Sequence, residues 1–256
     1  MFTEERREKI FEKAERDGRV LAKDLAEEFA VSIDSIRRDL TFMERDGLLK
    51  RTHGGAILHP KVQKKPRESA DRYGEGTPFQ HGIAREAAAC IQENETVFIG
   101  GAGIHAVMLT YLPSKMSFTV VTNSVEIAYR LRDYDLIQTY LIGGRMKKSG
   151  NMTDGLANEF AGQFTFDRAF LTAGGLTLRG LCTATPEVAV FHRTIAQHSK
   201  IVIALIEHTK IGSDLFADMM PLSKLDLIIT DEKAEAEEIS MLRLEGVETI
   251  TAIVHE

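Results

Sequence analysis

Apolar positions recur every three to four residues through the first third of the chain, then give way to short apolar runs. In "TEERREKIFEKAERDG", Ile10, Phe11 and Ala14 share one face of a predicted helix. It runs to Gly18, a residue suited to the left-handed position after a helix. "VLAKDLAEEFA" repeats the pattern with Leu21, Leu25, Ala26 and Phe29. After the turn "AVS", Ser32 is placed to cap a third helix, because its hydroxyl can accept an orphan backbone N–H. Ile36, Leu40 and Met43 fall at i, i+4 and i+7 and form its buried face. Asp34, Ser35, Arg37, Arg38 and Thr41 are left on or near the outside, and Gly47 stops the helix. "LLKRT" and "AIL" then read as two short strands around the turn "HGG".

Residues 59–78 hold three of the six prolines, several charges and no apolar period, which predicts a linker. From Phe79 onward, apolar strand-like runs ("TVFIG", "FTVVTN", "IQTYLIGG", "RAFLTAGG", "KIVIALIE", "LDLIITD", "VETITAIV") alternate with helical stretches such as "GIAREAAACIQ", "HAVMLTYL", "VEIAYRLR", "EVAVFHRTIAQH" and "AEAEEISMLR". That alternation predicts a mainly parallel sheet with helices on both faces. Ligands bind such sheets at the C-terminal ends of the strands. Those ends carry small or polar residues here: "GGAG", "TNS", "GGR" and "AGG". The predicted division is 1–58 head, 59–78 linker and 79–256 body.

Composition refines this little. Hydrophobic content of 43% and charged content of 27% fit an ordinary globular protein. No apolar run approaches the roughly 20 residues of a membrane span. The N-terminus lacks the apolar core of a signal peptide, so a cytoplasmic location without membrane contact is expected. Cys90 and Cys182 stand far apart, which argues against a disulfide or a cysteine zinc site. Residues 1–72 hold 17 Lys+Arg against 15 Asp+Glu, net +2, while the rest holds 15 against 23, net -8. An acidic body with a less acidic head is compatible with nucleic-acid binding but does not identify it. The histidines form no metal-ligand spacing: His192 and His198 stand six apart, and no H-E-x-x-H run occurs. No metal or other cofactor is expected.

The combination "LAEEFAVS", "SIRRDL" and "GLLKRTHGGA", with its spacings, resembles the DNA-binding head of the DeoR family of bacterial transcriptional regulators. The match runs from about Arg6 to Leu58. "VVTNSVEIAYRL", "LIGGR", "DRAFLTAGG" and "KIG" resemble the same family's C-terminal sensor domain over most of 79–232. The resemblance implies an α/β chain overall. A small winged helix-turn-helix would precede a larger α/β sensor domain similar to ribose-5-phosphate isomerase and CoA-transferase folds. It also implies a homo-oligomer, dimer or tetramer, that binds double-stranded operator DNA as a repressor of carbohydrate-metabolism genes. A small metabolite, a phosphorylated sugar or related anion, would release it.

On this reading Ser32, Ile33, Asp34, Ser35, Arg37, Arg38 and Thr41 approach the major groove, and Lys50, Arg51, Thr52, His53 and Gly54 form a wing on the backbone or minor groove. Adjacent arginines point about 100° apart on a helix. One of Arg37 and Arg38 therefore reads a base edge while the other meets phosphate, and Asp39 is a candidate to hold one of them. In the body, Gly101, Ala102, Gly103 and His105 line a loop able to form an anion nest. This loop lacks the Ser/Thr hydroxyls usual in the family. Asn123 and Ser124 could bind a polyol, and Gly144, Arg145 and Lys210 complete the candidate effector site. The competing reading is a sugar-phosphate isomerase or CoA-transferase relative with an accessory DNA-binding head. The strand end where the resembling isomerases carry acidic residues reads "TAGGLTLRG", without Asp or Glu. The sequence therefore points to a regulator without catalytic residues. A sensor that binds protein instead of DNA fits the intact head poorly.

Overall fold

The computed structural model describes residues 3–45, 48–52, 54–58 and 73–254. It divides into two compact units, Met1–Gln63 and Lys64–Glu256.

The first unit comprises α1 (Thr3–Asp17), β1 (Arg19–Leu21), α2 (Ala22–Glu28), α3 (Ile33–Arg45), β2 (Leu49–Arg51) and β3 (Gly55–Leu58). Its core is the set the apolar spacing selects: Ile10, Ala14, Leu25, Ile36, Leu40 and Met43, joined by Val20, Leu49 and Ala56. The sheet has the order β1-β3-β2, antiparallel throughout. Strand β1 is a departure from the sequence reading, which began the second helix at Val20. Val20 instead pairs with Ala56, and the Ala22 N–H donates to the Gly54 carbonyl at 2.8 Å. Gly55 makes this approach possible, since a Cβ there would stand 1.9 Å from the Val20 carbonyl oxygen. The predicted helix stop, Gly47, lies outside the described residues, as do 59–72 of the predicted linker.

The second unit begins, as described, at Tyr73. Residues 73–78, read as the end of the linker, are fastened to this unit. The Tyr73 hydroxyl donates to the Gly101 carbonyl at 3.1 Å. Thr77 and Gln80 form a reciprocal capping box on α4 (Pro78–Ala89), with Pro78 in its first turn. The chain continues as β4 (Thr96–Ile99), α5 (Gly103–Met108), β5 (Phe118–Thr122), α6 (Val125–Leu131), β6 (Ile137–Leu141), α7 (Gly155–Ala161) and β7 (Phe166–Leu171). Then come β8 (Gly175–Thr177), β9 (Gly180–Thr183), α8 (Pro186–Gln197), β10 (Ser199–Leu205), β11 (Ala217–Met220), β12 (Leu227–Asp231), α9 (Ala236–Leu244) and β13 (Glu248–Ala252). No helix among the described residues is long and apolar enough to cross a membrane.

Seven strands form one parallel sheet in the order β13-β12-β10-β7-β4-β5-β6. These are the seven apolar runs of the sequence. Helices cover both faces. Ile83, Ala87, Ile104, Val107, Ile127 and Leu131 pack on one, and Ala157, Ala161, Ala189, Phe191, Ile195 and Leu242 on the other. Phe98 anchors the second face, its ring 5.8 Å from Phe166 and 6.0 Å from Phe191. The small antiparallel sheet β11-β9-β8 was not read from the sequence, and neither was α7. Strand order reverses between β4 and β7: successive strands step away from β4 on one side and from β7 on the other. In open α/β sheets ligands bind at such a switch point, beyond the C-terminal strand ends.

Candidate functional site

In the first unit α3 is built as a presented helix. The Ser32 hydroxyl accepts the Ser35 N–H at 3.2 Å and lies 2.9 Å from the Ser35 hydroxyl, the expected cap. Ile36, Leu40 and Met43 are buried. Ser32, Ile33, Asp34, Arg37 and Arg38 are exposed, and Ser35 and Thr41 are half-buried beside them. The outward face begins with an ion pair one turn long, Arg37 Nη1 to Asp34 Oδ1 at 3.4 Å. Among the described residues no side chain holds Arg38. Asp39 is not its partner. Asp39 is only 2% exposed and accepts Arg6 Nε at 2.7 Å and Arg7 Nε at 2.9 Å, both from α1. It faces inward because it lies beside Leu40 and one turn before Met43. The sequence signal for that was its position on the apolar stripe.

The hairpin β2–β3 is tied to the same helix face. The Thr41 hydroxyl donates to the Arg37 carbonyl at 2.8 Å and accepts Arg51 Nη1 at 2.9 Å. The Arg51 N–H donates to Glu44 Oε1 at 2.8 Å. Lys50, Arg51, Thr52 and Gly54 are exposed along this hairpin, and His53 lies outside the described residues. Exposed cations from two elements are thus held at a fixed offset through Thr41.

In the second unit the candidate residues separate into groups. Gly101 is enclosed by the protein's own side chains: a Cβ there would stand 1.9 Å from Asn151 Oδ1. Its carbonyl accepts from Asn151 Nδ2 at 3.0 Å as well as from Tyr73. Asn123 and Ser124 are buried. The Asn123 amide donates to the Met152 carbonyl at 2.8 Å, and the Ser124 hydroxyl caps α6 by accepting the Ile127 N–H at 3.4 Å. Tyr73 and Asn151 were missed in the sequence. Tyr73 had one signal, being the sole aromatic residue of the 59–78 stretch.

At the switch point Ala102, Gly103, His105 and Lys210 lie among Thr172 and Glu207, not singled out before, and His192, weighed above only as a metal ligand. The His105 ring is 1% exposed, and its Nδ1 accepts the Ala102 N–H at 3.2 Å. The proton of the neutral ring therefore sits on Nε2. Burial pulls its pKa down to about 3, and the charges of His192 and Lys210 act the same way. The Phe170 carbonyl opposes the shift, although among the described residues no well-aligned hydrogen bond reaches Nε2. His192 is lowered by burial too, against the pull of the Val188 carbonyl, to which its Nδ1–H donates at 2.8 Å. It follows Ala189 by one turn of α8, a spacing visible in the sequence. Lys210 Nζ lies 3.4 Å from the Thr172 hydroxyl and 3.7 Å from Glu207 Oε1. It is a permanent cation of this group.

Gly144 and Arg145 lie apart from that group, after the edge strand β6. The Arg145 N–H donates to Asp154 Oδ1 at 3.1 Å, and its exposed guanidinium acts with Lys147 to lower the Glu187 pKa, the Lys147 hydrogen bond leading. Glu187 precedes His192 by five positions on α8, about 7–8 Å along the axis.

Comparison with known proteins agrees with both units. A family model described as the DeoR-like helix-turn-helix domain matches residues 6–62, and one described as the DeoR C terminal sensor domain matches 80–232. The HTH-type transcriptional repressor GlcR of Bacillus subtilis is 30% identical over 251 residues, 98% of this chain and 96% of that protein. The lactose phosphotransferase system repressor of Lactococcus lactis is 29% identical over 238 residues, covering 91% of this chain and 92% of that one. The solved ribose 5-phosphate isomerase A of Methanocaldococcus jannaschii overlays 53% of this chain and 55% of its own, with TM-score 0.40 and 12% identity. With the two family models matched in order over residues 6–62 and 80–232, and a relative 30% identical over almost the whole chain, the chain belongs to the DeoR family of transcriptional regulators.

Proposed function

We propose that this regulator represses genes of sugar metabolism by binding operator DNA with α3 and the β2–β3 wing, and that a phosphorylated sugar or related anion at the switch point releases it. The observation that carries the reading is the rigid offset between the two cationic elements. Arg37 and Arg38 stand on α3, Arg51 on the wing, and the Thr41 hydroxyl links them. A helix in the major groove with an adjacent basic hairpin on the backbone needs that arrangement. Arg37 or Arg38 makes the bidentate contact that selects a guanine. Lys50, Arg51, Thr52, His53 and Gly54 serve the backbone, and salt-dependent phosphate contacts supply much of the affinity.

For the effector, Lys210 supplies the charge. His105, neutral across the physiological range, contributes shape and hydrogen bonding. Gly101 and Gly103 offer backbone N–H groups, the Ala102 N–H being taken by His105. Asn123 and Ser124 frame the site instead of reaching the ligand, and Gly144 with Arg145 forms a second cationic rim. Catalysis is not part of this reading, which follows the relatives named as repressors. The names of the relatives, a GlcR repressor and a lactose phosphotransferase system repressor, support a sugar-linked effector.

The test is fluorescence anisotropy with DNA from the chain's own promoter and a panel of sugars and their phosphate esters. At least one phosphate ester should weaken binding about ten-fold or more, equivalent to a coupling of about 1.4 kcal/mol, while its parent sugar has little effect. A panel in which free sugars release DNA and no phosphate ester does would contradict the anionic site.

A further inference from the structure

The parallel sheet ends at β6, and among the described residues nothing pairs with its outer edge. The Ile142 N–H donates to the Thr122 carbonyl of β5. In a parallel ladder a residue turns its N–H and C=O to the same side, and the side alternates along the strand. Gln138 and Tyr140 therefore face β5, while Thr139 and Leu141 direct their backbone groups outward. Proteins usually blunt such an edge with Lys, Pro or other charged residues. Here, no charged residue and no proline occurs from Leu136 to Gly144. The opposite edge strand, β13, carries Glu248 within it.

Apolar side chains crowd the same margin. Leu136, Tyr140 and Leu141 are 45, 43 and 40% exposed, and Leu156 and Phe160, four apart on α7, are 67 and 37% exposed. Tyr140 and Phe160 both pack on Phe164, at 5.9 and 5.5 Å, which makes strand edge and helix one surface. Charge then selects the partner. Asp133 and Asp135 precede the strand, with Arg132 paired to Asp133 at 3.3 Å, and Arg145 and Lys148 follow it, with Lys147 between them paired to Glu187 at 2.7 Å. An identical strand laid antiparallel sets the acidic end of each copy against the basic end of the other. A parallel one would set like against like. The antiparallel contact is isologous and closes on itself.

We propose that β6, with Leu156 and Phe160 beside it, is the self-association surface of this regulator: a second copy of the chain adds its own β6 antiparallel and continues the sheet across a two-fold axis. This goes beyond the reading above and rests only on the homo-oligomer that the sequence resemblance implies.

Sedimentation equilibrium of the full chain tests it. The wild type should sediment as a dimer or a multiple of dimers. Thr139→Pro removes an outward N–H and spares the β5 ladder, and Tyr140→Lys places charge on the margin. Each should halve the mass with unchanged far-UV circular dichroism. Asp135→Lys and Lys148→Glu should each weaken association about three-fold or more, because every substitution acts twice in a two-fold contact. The double variant should recover wild-type association. A monomeric wild type, wild-type mass in both edge variants, or a double variant weaker than either single one overturns the proposal. Binding to promoter DNA is read separately on the same samples. Retained DNA binding with wild-type mass in the edge variants defeats this surface alone, whereas a wild type that ignores DNA defeats the regulator reading.

Discussion

At the scale of single residues, the informative groups are those whose chemistry and burial disagree. Asp39 is a carboxylate on an apolar stripe, and Arg6 and Arg7 from α1 resolve the conflict. The pairs were not legible from "RRDL", because a helical stripe shows which way a side chain points but not what meets it. His105 is the second case. Its folded pKa lies near 3, against about 6.5 in an unfolded chain. Between those values the unfolded state binds a proton that the folded state refuses, so stability falls as pH falls. His192 is lowered too, by the same cause. Asp167 and Glu187, held low by Lys200 and Lys147, add their losses only below about pH 4.5, in the carboxylate range. From pH 6.5 to 5 the histidines therefore dominate. Urea midpoints of the wild type should drop across that window, and His105→Gln should flatten the drop by up to one proton's worth of slope. An identical pH slope in the variant would show that His105 is not held neutral.

At the scale of elements, periodicity recovered the three head helices, the hairpin and all seven strands of the main sheet. It missed β1, β8, β9 and β11, all of three or four residues, although β2, β3 and β4 of the same length were found. "RVL", "GLT" and "GLCT" are too short to show a period of two, and β1, β8 and β9 are defined by their partners. The turn from α2 to α3 shows a related limit. The Ala30 N–H bonds to the Glu27 carbonyl and the Val31 N–H to the Ala26 carbonyl, a Schellman pattern that places Ala30 in the left-handed region at φ 50°. Glycine is the residue that adopts this conformation freely. Relief of the left-handed strain, less the greater freedom of glycine in the unfolded chain, predicts that Ala30→Gly stabilises the head by about 1 kcal/mol. Urea unfolding followed by helical ellipticity checks this. A lower midpoint would mean that the turn carries no strain.

At the scale of the whole molecule, family membership was legible because it rests on many local patterns in register: "LAEEFAVS", "SIRRDL", "KRTHGGA" and the strand ends. The composition of the switch-point group was less so. Lys210 and His105 were visible, but Thr172, His192 and Glu207 reach them from β7, α8 and β10 through long-range strand order, which spacing along the chain does not encode. The same order leaves β6 at an uncharged edge, the surface proposed to join two copies. A ligand acts in such an assembly only by binding one arrangement better than another. The head's role is upstream of all this, because release has meaning only if α3 selects sequence. Anisotropy titrations of the wild type and Arg37→Ala/Arg38→Ala at one fixed salt concentration, on promoter DNA and on a scrambled duplex, test that most directly. The wild type should prefer promoter DNA by about 10³-fold or more, and the variant should lose that preference while keeping its mass and circular dichroism. A variant that retains the wild-type preference would contradict the assignment of α3 as the reading helix.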